Sequence, residues 1–141
     1  MRLPTGSLSA VGLVAFALVC PQAANADTVS LYPTGSSVWV QTQSGKTTCQ
    51  VDAGFVSCIA LFEVPTPSAH GQPSNVVMVS PSGALTWTLG DSGPVSPTTL
   101  SYGTTYSANG WTVNPTNMGT TFTNDATGHG MTVNLRGASA F

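Results

Sequence analysis

Side chains able to do acid–base, nucleophilic or metal chemistry are scarce in this chain of 141 residues, which has two histidines and five carboxylates. His129 lies in Thr127-Gly128-His129-Gly130, and its flanking glycines permit backbone angles that hold an imidazole at a tight turn. Asn124 and Asp125 stand just before it and with it form a candidate polar site. An imidazole beside a carboxylate is an ordinary general base, so a small extracellular hydrolase would pair His129 with Asp91 or Asp125. No sequence feature assigns His129 a catalytic partner, and a ring that bonds a backbone carbonyl to lock its turn is the favoured reading. Glu63, Asp91 and Asp125 could supply a carboxylate pair for glycoside hydrolysis, yet nothing in their spacing makes two converge. His70, His129 and the acids show no ligand spacing, so no metal is expected. No cofactor is expected either, because no glycine-rich loop leads into a helix.

Gly90-Asp91-Ser92-Gly93-Pro94 resembles the segment around the nucleophile of chymotrypsin-like serine proteases, with Ser92 in the nucleophile's place. The resemblance implies a histidine base. His70 is followed by Gly71, whereas that family's histidine follows an alanine and precedes a cysteine. Those enzymes also build their cleft between two barrels, more than one small domain can supply. Asp91, Ser92 and Gly93 are therefore read as turn formers after a strand ending near Leu89.

The candidate groups need a scaffold, and the N-terminus bears on which. Arg2 precedes a mostly apolar run from Leu8 to Cys20, and Ala24-Asn25-Ala26 offers small residues for a signal peptidase. This predicts a secretory signal peptide over residues 1–26, cleaved after Ala26, with no transmembrane anchor remaining. Val19 before Cys20 is too large for the lipid-attachment motif. Residues 27–141 then form a single secreted domain of 141 − 26 = 115 residues.

Removing the leader removes Cys20 and leaves Cys49 and Cys58, an even pair that reads as a disulfide in an oxidising compartment. A hairpin turning at Ala53-Gly54 would face Asp52 with Phe55, Val51 with Val56, Gln50 with Ser57 and Cys49 with Cys58. Counting from the loop places the cysteines at a non-hydrogen-bonded site, where Cα atoms lie about 4.5 Å apart and a bridge can close.

Period-two alternation recurs at Val38–Gln41, Leu85–Leu89, Trp111–Val113 and Met131–Leu135. Phe55–Phe62 is apolar on both faces and reads as a central strand, and Val76–Val79 as a short buried one. Asn109-Gly110 is the strongest hairpin signal. Without helical periodicity, the fold class is all-β: a small antiparallel sandwich or barrel of eight or nine strands. Trp87 and Trp111 are expected in the core. Trp39 is the surface aromatic, because Val38 and Val40 take the inward face.

Lys46 and Arg136 against Asp27, Asp52, Glu63, Asp91 and Asp125 give residues 27–141 a net charge of 2 − 5 = −3. That excludes a nucleic-acid footprint, and the chain is expected to lack the basic patch that would hold it on an anionic membrane. Ser, Thr, Asn and Gly replace the missing charges and suit a hydroxyl-covered surface, with a glycan or an envelope protein as partner.

Several stretches resemble small exported actinobacterial proteins, mycobacterial ones above all, of uncharacterised function. They are the Cys49–Cys58 spacing, GALTWTLGD ending at Asp91, LSYG from Leu100, and GTTFTNDATGHGMTVNLRGASAF at the end. The resemblance implies a secreted domain with the same cysteine pair and carries no activity. The expected function is that of a non-catalytic extracellular or cell-envelope binding or structural domain.

Overall fold

The computed structural model describes residues 2, 4–6, 10–15 and 27–141. The apolar run over Leu8–Cys20 lies largely, and the expected cleavage site at Ala24–Ala26 wholly, outside the described residues, and the described strands fall within residues 27–141. In chain order the strands are β1 (Val29–Leu31), β2 (Val38–Gln41), β3 (Thr47–Asp52), β4 (Phe55–Ala60), β5 (Val76–Val79) and β6 (Leu85–Thr88). Next come β7 (Thr98–Thr99), β8 (Tyr106–Ala108), β9 (Trp111–Thr116), β10 (Gly119–Asn124), β11 (Gly130–Asn134) and β12 (Gly137–Ala140). They form two open six-stranded sheets, ordered β1-β8-β9-β10-β11-β12 and β6-β5-β4-β3-β2-β7.

The fold is therefore an all-β sandwich rather than a barrel. The twelve strands among the described residues exceed the eight or nine expected, because two- and three-residue strands leave no alternation to read. Pairing departs from a purely antiparallel plan at two places. β1 runs parallel to β8 and β2 parallel to β7, each at or beside a sheet edge. Such pairs join segments far apart in sequence, where hairpin signals do not reach.

The β3–β4 hairpin has the expected register, with Asp52↔Phe55, Val51↔Val56, Gln50↔Ser57 and Cys49↔Cys58. Asp52 Oδ1 accepts the Gly54 N–H at 3.2 Å and closes the loop. Cys49 and Cys58 form the disulfide, with Cα atoms 4.1 Å apart. Both sulfurs point into the core, so the bridge also fixes which face of the hairpin is inward.

Period-two alternation fills one shared core from both sheets, broken at Val56–Cys58 and Val76–Val77, where consecutive residues are buried. Val38, Val40, Val51, Val56, Val77 and Val79 point inward from one sheet, against Trp111, Val113, Phe122, Met131 and Val133 of the other. Trp87 is only partly buried on edge strand β6, where its ring meets Phe62 edge-on at 5.2 Å. Leu89 is exposed because the strand ends at Thr88, and Leu61 is exposed because β4 ends at Ala60.

Asn109 and Gly110 both take positive φ, 48° and 81°, as a two-residue turn between β8 and β9 requires. The turn also ties the layers together. Asn109 Nδ2 donates to the carbonyls of Val51 (2.9 Å) and Ser36 (3.0 Å), and Trp111 Nε1 donates to the Asp52 carbonyl at 2.9 Å. Gly130 has no room for a Cβ, since the Phe122 carbonyl of β10 occupies that space.

Candidate functional site

β6 and β7 sit on opposite edges of one sheet, so residues 89–97 must bring the chain from one edge to the other. Five strand spacings of about 4.8 Å separate those edges, a distance an extended nine-residue segment can span. The segment crosses the sheet's outer face as a strap. Asn75 holds its start, donating Nδ2–H to the Gly90 carbonyl (2.9 Å) and accepting the Gly90 N–H (3.0 Å). Asp91 Oδ1 accepts the Gly93 N–H at 2.8 Å, and Ser92 Oγ donates to the Gly93 carbonyl at 3.2 Å. The Asp91-Ser92-Gly93 segment is thus hydrogen-bonded within the strap.

Trp39 stands on that outer face because β2 turns Val38 and Val40 inward. It is half-buried and borders two recesses. The larger, about 380 Å³, lies among Leu31, Tyr32, Pro94, Val95 and Ser96. Tyr32 is 84% exposed at its rim. The smaller, about 140 Å³, lies among Gln50, Ser57, Thr88 and Asp91. Gln50 and Ser57 face each other across β3 and β4 and point outward by parity with the inward cysteines. Gln50 Nε2 donates to Ser37 Oγ at 2.9 Å, which orients its amide. An indole beside an amide, hydroxyls and a carboxylate suits a ligand with one apolar face and a polar rim.

The proposed His129 cluster has a different layout. Asn124 is buried and its Oδ1 accepts the N–H groups of Ala126 and Thr127, each at 3.1 Å. Asp125 Oδ1 accepts the Thr112 hydroxyl at 2.5 Å. His129 is exposed, and its Nδ1 lies 3.1 Å from the Phe141 backbone oxygen. Thr127 Oγ1 donates to the Pro81 carbonyl at 2.5 Å, fastening this turn to the β5–β6 turn of the other sheet. Asn124, Asp125 and His129 thus share a turn, while Asp91 lies on the strap over the outer face of the opposite sheet. Among the described residues, no group of three His, Cys, Asp or Glu side chains could hold a metal ion.

Trp39 and Asp91 are brought to one surface, a proximity their separation of 52 positions (91 − 39) does not announce. Gln50 and Ser57 were missed, although the hairpin parity that turns the cysteines inward also turns these two outward. Tyr32 carried no pattern signal. Compared with known protein families, with curated proteins and with solved structures, the chain matches none of them.

Proposed function

We propose that this is an exported, non-catalytic β domain that binds a neutral glycan outside the cell through the Trp39 surface. The observation that carries the reading is the placement of Trp39 at the border of two recesses of mixed apolar and polar lining, with Gln50, Asp91 and the largely buried Ser57 lining the smaller one. The C–H face of a sugar ring stacks on the indole, and its hydroxyls pair with the surrounding amide, hydroxyl and carboxylate. The disulfide, the apolar N-terminal run with its small-residue cleavage site, and the likeness to exported actinobacterial proteins support an extracellular or cell-envelope setting.

Titration calorimetry of the full chain against neutral envelope polysaccharides and their oligosaccharides tests this. Saturable binding that falls about tenfold or more in Trp39→Ala and in Tyr32→Ala is expected, from the worth of burying a large ring. Tyr32 is so exposed that its variant keeps the fold. Binding that survives both substitutions, or no binding to any neutral glycan, refutes the assignment.

A further inference from the structure

The loops of the sandwich gather at two poles of unlike chemistry. One pole holds the Ala53-Gly54, Pro81–Gly83 and Asn109-Gly110 turns, together with Asp52 and Asp125. The other holds residues 42–46 and 61–64 and the tips of the β9–β10 and β11–β12 hairpins. It is knitted by backbone and side-chain bonds: Glu63 N–H to the Leu135 carbonyl at 2.7 Å, and Asn134 Nδ2 to the Met118 carbonyl at 3.3 Å. Here the fold exposes large apolar side chains, with Leu61 at 89%, Met118 at 79% and Val64 at 67%. A groove of about 470 Å³ between Leu61 and Leu135 is flanked by Lys46 and Glu63.

Lys46 and Arg136 are the only lysine and arginine of 27–141, and the topology brings both to this pole although 90 positions separate them (136 − 46). With Glu63 the three charges sum to 2 − 1 = +1, in a domain whose net charge is −3. We propose that this pole docks on an anionic lipid bilayer. Leu61, Val64 and Met118 enter the acyl boundary from protruding loop tips while Lys46 and Arg136 meet the phosphate headgroups. A second copy fits less well. A two-fold contact would bring four cations together with two carboxylates, leaving like charge in the interface. The reading is independent of the Trp39 surface.

Flotation with vesicles of phosphatidylcholine, with and without phosphatidylglycerol, tests the proposal. The full chain carries the apolar run at residues 8–20, so wild type is compared with Leu61→Asp, Met118→Asp and Lys46→Glu/Arg136→Glu, all sharing that run. Binding to the phosphatidylglycerol vesicles is expected, falling about tenfold in each aspartate variant and falling also in the charge reversal and at raised salt. Unchanged melting temperatures are expected, since all four side chains lie at the surface. Equal binding by all variants assigns attachment to the N-terminal run and overturns the proposal. So does an absence of binding, or a wild-type dimer in sedimentation that Leu61→Asp splits.

Discussion

Replacing Trp111 with phenylalanine tests whether the two sheets are held by one buried indole. Trp111 is 0% exposed, and its Nε1 reaches across the core to the Asp52 carbonyl at 2.9 Å. Phenylalanine removes roughly 40 Å³ of ring, and at about 24 cal/mol per Å³ of unrelaxed cavity that costs about 1 kcal/mol. Loss of the hydrogen bond to Asp52 costs a further 0.5–1.5 kcal/mol or so, giving about 2 kcal/mol in all. Unfolding 115 residues, the span 27–141, at about 2.1 cal/mol/K each turns this into a fall in Tm of roughly 8 °C. The assay is thermal and urea unfolding followed by circular dichroism, with Trp39→Phe as the outer-face control, expected to lose less than about 1 kcal/mol. If Trp111→Phe melts within about 2 °C of wild type, or the control loses as much, the indole is not what ties the layers.

Three further variants probe the hairpin and the β10–β11 pairing. Cys49→Ala/Cys58→Ala is expected to lose about 2–3 kcal/mol, because the bridge closes a short loop, and the wild-type bridge should resist mild reductant until the domain opens. Urea midpoints and thiol titration with and without denaturant check this. Gly130→Ala is expected to prevent accumulation of folded protein, since its methyl group would meet the Phe122 carbonyl. Gly128→Ala, which has open space but a φ of 75°, should cost only about 1 kcal/mol, so soluble yield and melting temperature separate the two.

The β3–β4 hairpin was legible to the residue because three constraints coincide there: a two-residue loop, period-two alternation and a pair of sulfurs that must meet. The inward valines of β2 were legible for the same reason, and they set Trp39 on the outer face. The choice of sandwich over barrel was not, because it depends on which strands remain edges, and alternation is identical in both. Nor were the β1–β8 and β2–β7 pairs, where strands of three and two residues are chosen by long-range docking. The Trp39 surface was half legible. Its aromatic and Asp91 were singled out separately, but only the crossing of residues 89–97 brings them together. The absence of a basic patch was expected from the few charges and their net sign, a count that does not register that pairing carries Lys46 and Arg136 to one pole.

The two parallel pairs set an order of events. Val29 meets Tyr106 across 106 − 29 = 77 positions, and Val40 meets Thr98 across 98 − 40 = 58. The consecutive hairpins from Val38 to Thr88 can zip locally, but β1 has no partner until Tyr106–Ala108 has been delivered. The segment next to the N-terminal run therefore stays loose until most of the polypeptide has arrived, and the closing step carries the entropy of the longest loop in the molecule. A chain built this way is slow to lock at its front end, and its first strand is the last to gain a partner.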